Sequence, residues 1–134
     1  MPDAKLAQSL LPAAPDARAP DGTAVRLIGA LGRGSMAHFE LAAGAVSHAV
    51  AHKTVEEIWY FLGGRGQMWR KLGTEESIVD VGAGVSLTIP LGAQFQFRAL
   101  PGEPLSFVAV TMPPWPGADE ASRVAGPWAA TVDS

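Results

Sequence analysis

The sequence predicts an all-β protein, a sandwich or barrel of short strands, with a double-sheet jelly roll as one way to protect so many strand edges. Three observations carry this. Apolar and polar residues alternate in short runs along most of the chain. Fifteen glycines and eleven prolines among 134 residues interrupt those runs at intervals of ~8–12 residues. No segment carries a convincing helical pattern. At this length, with 48% hydrophobic and 17% charged residues, the chain suits one compact domain.

The chain divides into an N-terminal arm (1–22), a barrel (23–113) and a Pro-rich C-terminal segment (114–134). In the arm, LAQSLL has the composition for a helical turn, and Pro12, Pro15 and Pro20 forbid a longer helix. The arm is expected to lie loose or against a partner subunit. Strands are predicted at 24–30 and 35–41. In the second, Ala37, Phe39 and Leu41 form the core face, and Met36, His38 and Glu40 the outer one. A third strand is predicted at 45–52, with His48, Val50 and His52 on one side. In EIWYFLG (57–63), Glu57, Trp59 and Phe61 share a face, opposite Ile58, Tyr60 and Leu62. A strand apolar on both faces must be covered on both, and in a chain this small a second subunit is the expected cover.

Further strands are predicted in QMWRKL (67–72) and at 76–81, 85–89, 94–99 and 105–112, about nine in all. The prolines of PPWPGADE exclude a helix or central strand there. Trp128, in an irregular tail, is expected to dock.

The formal charge of −3 and the scattered Lys and Arg residues leave no basic stripe for phosphates, so nucleic acid is not an expected partner. No apolar run approaches the ~20 residues of a membrane helix. The opening MPDAKLAQSLLPAAP, with an early acid and breaks at Gln8, Ser9 and Pro12, does not read as a signal peptide. Cysteine is absent. That removes disulfides, Cys-ligated zinc and thiol catalysis, and makes a cytoplasmic setting the default.

Residues 44–99 carry two spaced motifs. Gly44 is followed after five residues by Val50, Ala51 and His52, after four more by Glu57, and after six more by Gly64. Gly84, Pro90 and Gly92 follow, with Phe95 and Ala99 beyond them. These resemble the two cupin motifs, G-x5-H-x-H-x3,4-E-x6-G and G-x5-P-x-G-x2-H-x3-N. Val50 and Phe95 stand where the family has histidines, and Ala99 where it has asparagine. VEEIWYFLGGRG also resembles the EEIYYVLEGEG run of small one-domain cupins. The resemblance covers roughly 24–112. It implies a double-stranded β-helix, the jelly-roll barrel of a small single-domain cupin.

The resemblance further implies a metal site of two or three histidines and a carboxylate inside the barrel. Residues two apart on a strand point the same way, about 6.6 Å apart, so both imidazoles of H-x-H can converge on one ion. Here only His52 and Glu57 remain, and Val50 and Phe95 cannot ligate. His48 faces the side of His52 but lies about 13 Å along an ideal strand, so it joins only through a bulge or bend. The expected cofactor is therefore none, or a weakly bound divalent metal on this degenerate site.

Three readings of His52 and Glu57 stay open: a metal-free hydrogen-bonded pair in a pocket, an unusual metal site, or a structural pair. As catalytic candidates, the carboxylate would raise the imidazole pKa and hold its tautomer, as a general base requires. Trp59, Phe61, Trp69, Phe95 and Phe97 are candidate ligand-binding walls, or ordinary barrel core. Arg65 and Arg70 are expected at the surface. Arg98 shares a face with Gln94 and Gln96, and is expected on an outer or interface side.

The expected function is small-molecule binding in an aromatic barrel pocket. The alternative is an enzyme of isomerase, lyase or cyclase type acting on a small sugar-like or carbonyl metabolite. It would be metal-assisted, or use His52 and Glu57 for proton transfer. The broken ligand set disfavours oxygen chemistry. A third reading is a dimerisation module with a filled barrel. A homodimer is expected in any case, from the two-sided strand at 57–62 and the unattached arm.

Overall fold

The computed structural model describes residues 5–132. Its strands are β1 (Ala17–Arg18), β2 (Ala24–Leu31), β3 (Gly34–Leu41), β4 (Val50–His52), β5 (Glu56–Gly63), β6 (Arg65–Leu72), β7 (Glu75–Gly82), β8 (Ser86–Ile89), β9 (Gln94–Ala99), β10 (Leu105–Met112) and β11 (Ala121–Arg123). They form a six-stranded sheet, β1-β2-β3-β10-β5-β8, and a five-stranded sheet, β11-β4-β9-β6-β7. All strand pairings are antiparallel. This is the jelly-roll barrel that the resemblance implied, and one of the all-β architectures that the alternation allowed. No helix among the described residues is long and apolar enough to cross a membrane.

The alternation works as a pleated strand demands. In β5, Glu57, Trp59 and Phe61 are buried, while Ile58 and Tyr60 are each 48% exposed. In β10, Leu105, Phe107, Ala109 and Thr111 point inward. Between the sheets an aromatic cluster fills the barrel. Trp59 stacks on Phe107, with ring centroids 4.1 Å apart. Phe95 and Phe97 meet Trp59 edge-on at 5.4 and 5.2 Å. Offset stacks and edge contacts are the arrangements that ring quadrupoles favour.

The four motif glycines, Gly44, Gly64, Gly84 and Gly92, all have positive φ. Gly64 is the most constrained. Its φ is +76°, and a Cβ there would lie 2.2 Å from the carbonyl oxygen of Pro104. No other residue satisfies both conditions.

The structure corrects three local expectations. The predicted third strand is shorter, with only Val50–His52 in a ladder and Val46 in an isolated bridge to Arg98. The backbone of 45–49 is shared among three neighbours. Ser47 N donates to Phe97 O, His48 N to Asp21 O, and Thr131 N to Val46 O. LAQSLL forms no helical turn; an isolated turn orders several residues for little gain unless a packed face supports it. PPWPGADE does contain a short 3-10 helix, Ala118–Glu120, just beyond its last proline.

Both terminal segments join the barrel. β1 pairs with β2, and β11 pairs with β4. Glu120 fastens the tail, accepting from Thr54 N, Thr54 Oγ1 and Val55 N. Further along, Gln96 donates through Nε2 to the carbonyls of Ser47 and Trp128, and accepts from Trp128 N. Arg98 lies 4.2 Å from the centre of the Trp128 ring. The outer face of β9, expected to be an outer or interface side, is covered by the chain's own tail. This is why Gln96, on that face, is 1% exposed.

Candidate functional site

A cavity of about 730 Å³ opens between the inner face of the six-stranded sheet and the two terminal segments. β2 and β3 contribute Val25, Ile28, Ala37 and Phe39 to its wall, and β5 contributes Trp59. The N-terminal segment adds Ala17–Asp21, and the tail adds Pro114–Ala118. Against these mostly apolar walls stand Asp21, His52, Glu57 and Thr111, with Arg18 also on the lining.

Each polar group is held by its element. Glu57, the second residue of β5, accepts from Trp59 Nε1 at 2.9 Å through Oε1 and from Thr111 Oγ1 at 2.5 Å through Oε2. His52 ends β4, edge-on to Phe95 at 5.2 Å and to Trp115 at 5.3 Å. Its Nδ1 lies 3.8 Å from Glu57 Oε1, too far for a hydrogen bond. That nitrogen is buried with no hydrogen-bond partner among the described residues. Asp21 sits in a turn in which its Oδ1 accepts from Thr23 N at 3.0 Å and Thr23 Oγ1 at 2.7 Å.

Desolvation dominates the electrostatics. Burial pushes the Glu57 carboxyl above its ordinary range, and the Glu120 charge adds to this, against the bonds from Thr111 and Trp59 that favour the anion. Burial pushes Asp21 up in the same way, opposed by Thr23 and aided by the charge of Glu57. Burial pushes the His52 imidazole down, with Asp21 and Glu120 acting the other way. The sequence-based expectation was of an imidazole paired with the carboxylate; here the two lie 3.8 Å apart, and burial is the largest effect on His52.

No family model and no curated protein matches this sequence. Solved structures do. A variant of Bacillus subtilis oxalate decarboxylase matches with a TM-score of 0.69 and 20% identity over 80% of this chain. BH2720 from Bacillus halodurans matches with a TM-score of 0.62 and 17% identity, over 75% of this chain and 74% of that one. The fold is that of a small cupin. Streptomyces PAC13, solved with uridine, matches with a TM-score of 0.61 and 12% identity, over 78% of this chain and 80% of that one. This chain spans only 29% of the oxalate decarboxylase, a protein with Mn(II) centres.

The cupin positions here do not fit a tightly held divalent metal. Val50 and Phe95 are opposed in the β4–β9 register and both are 1% exposed; neither has a donor atom. No group of three His, Cys, Asp or Glu side chains among the described residues could hold an ion.

Of the candidate residues from the sequence, His52, Glu57 and Trp59 line the cavity. Phe61, Phe95 and Phe97 belong to the packed core and do not line it. Trp69 lies opposite Gln96 and bonds to Glu76 through Nε1 at 2.7 Å. It is on the face away from Met68, because the β6 alternation places adjacent residues on opposite sides. His48 is half-buried in the 45–49 loop and is not a lining residue. His38 is half-buried opposite Val108. Arg65 is exposed, whereas Arg70 is half-buried and bonds to Thr88 O. Arg98 bonds to Gln67 Oε1.

Sequence reasoning missed Asp21, Thr111 and Trp115. Two of them carried a signal. Asp21 lies in Pro-Asp-Gly-Thr, where an Asp bonding the backbone two residues on is a common turn device. Thr111 is the one polar residue in the inward phase of β10.

Because the folded pKa of Glu57 lies above its ordinary value of 4.5, the folded state holds that proton more tightly than the unfolded chain. Its contribution to stability therefore falls as pH rises from 4.5 through the folded pKa. Glu57→Gln removes the effect, and Thr111 can turn its hydroxyl to accept from the new amide. Urea unfolding should show the variant gaining on the wild type as pH rises from 4.5, then levelling off. A flat or shrinking difference would contradict the raised pKa.

Proposed function

We propose that this cupin-fold protein binds an organic small molecule in the cavity at the barrel mouth, without a resident transition metal. Its main support is the polar floor of that cavity. His52 and Glu57 are 8% and 6% exposed, and His52 Nδ1 has no hydrogen-bond partner among the described residues. Buried polar groups are costly when unpaired, and a shift of the His52 ring toward the cavity would let a ligand supply the pairing. Apolar walls with a few convergent polar groups are the usual make-up of small-molecule sites. The structure of PAC13 with uridine supports an organic ligand for a barrel of this shape.

The four tryptophans report the site directly, because Trp59 and Trp115 line the cavity while Trp69 and Trp128 do not. Titration with benzyl alcohol should shift the indole N–H NMR signals of Trp59 and Trp115 and leave the other two in place. His52→Ala should weaken that binding by about tenfold. Shifts at Trp69 and Trp128 instead, or none at all, would contradict the site.

The protein acts as a homodimer through the outer face of the six-stranded sheet. There Ile58 and Tyr60 (both 48% exposed) and Leu62 (46%) lie beside Val108 and Val110 of β10, with Met36 of β3 next in line. Leu6 and Leu10 of the arm are also fully exposed. A contiguous apolar face beside an apolar arm suits a second copy of the same chain. Light scattering at micromolar concentration should give a dimer mass for the wild type and a monomer mass for Ile58→Glu. A monomeric wild type would overturn the dimer.

A further inference from the structure

We propose that the cavity takes an organic ammonium, a cationic amine head on an apolar body, with the head bracketed by Asp21 and Glu57. This names a ligand class for the pocket and rests on the small-molecule reading above.

Two carboxyls from distant parts of the chain reach one apolar cavity. Asp21 comes from the N-terminal turn, where Gly22 N bonds to Ala19 O at 2.9 Å and Ala19 N to Thr23 O at 2.9 Å. Gly22 has a φ of +96°, and a Cβ there would lie 2.2 Å from Val132. The C-terminal tail therefore pins the turn that carries Asp21. Glu57 comes from β5, with one bond to each oxygen. Both bonds leave lone pairs free, since a carboxylate accepts at about four sites.

An ammonium is a compact donor-only cation, and two carboxylates offer it charge and acceptors together. Placing it there also restores the charge that desolvation removes from Asp21 and Glu57. His52 lines the same cavity, 8% exposed, with Nδ1 buried and unpartnered among the described residues. Its position 3.8 Å from Glu57 Oε1 lets a small shift bring Nδ1–H onto that oxygen once the carboxylate is charged. Trp59 and Trp115 supply aromatic wall, which also attracts cations.

Other head groups fit less well. An anionic head would face two carboxyls, and the Arg18 guanidinium is already bonded to Gly22 O at 2.8 Å. For a metal ion, no group of three His, Cys, Asp or Glu side chains among the described residues is placed to hold it.

The test compares benzylamine, benzyl alcohol and benzoate by calorimetry, with the indole signals of Trp59 and Trp115 confirming the site. Benzylamine should bind at least about tenfold tighter than benzyl alcohol, the scale of a charge-assisted hydrogen bond. Asp21→Asn and Glu57→Gln should each erase that preference. If Asp21→Asn does not fold, Glu57→Gln and the head-group ranking decide. Equal binding of amine and alcohol, or tighter binding of benzoate, overturns the ammonium assignment and leaves the pocket standing. Absence of any probe at Trp59 and Trp115 overturns both.

Discussion

The constraint on which this barrel mouth depends is the cost of keeping a carboxyl out of water. Glu57 sits beneath hydrocarbon walls, and an isolated ionised group there would be strongly disfavoured. The structure offsets this with one donor per oxygen, Trp59 Nε1 on the same strand and Thr111 Oγ1 on the neighbouring strand. Those bonds fix where the carboxyl points but do not outweigh the desolvation. What results is a positioned group whose protonation responds to whatever enters the cavity. Trp59 links this site to the core, since the ring that bonds Glu57 also stacks on Phe107.

The second organising feature is closure from both ends of the chain. β1 and the turn at Asp21 lie along one side of the mouth, and Pro114–Ala118 along another. The tail is fastened by Glu120. Burial works against its carboxylate, but bonds from Thr54, Val55 and Lys53 together outweigh that and hold its pKa below the usual range. Glu120 therefore stays charged when Asp21 and Glu57 are poised to change. Trp115, carried on the strapped segment, lies against His52. The site is a composite, in which the barrel supplies the floor and the termini supply much of the wall.

The barrel was legible in the sequence because its signals are local. Strand alternation has a period of two, and the bends fall on Gly44, Gly64, Gly84 and Gly92, residues that take positive φ without strain. The inward phase of Glu57, Trp59 and Phe61 followed from the same rule. The site was only half legible. Asp21 and Trp115 reach it through long-range packing of segments with little pattern of their own. Phe61, Phe95 and Phe97 show the converse. Alternation placed them inside, but only packing decides whether an inward ring meets a cavity or another ring. Strand 45–52 was overread because its backbone is shared among β9 and both termini, which no local pattern reveals.

The most direct measurement is a carbon-13 NMR titration of the side-chain carboxyls of the intact protein. A desolvated floor predicts that Glu57 titrates clearly above 4.5 and Asp21 clearly above 3.8, while Glu120 titrates below 4.5. Titration of Glu57 and Asp21 at or below those values would contradict it, because the two carboxyls would then be as well solvated as on an open surface.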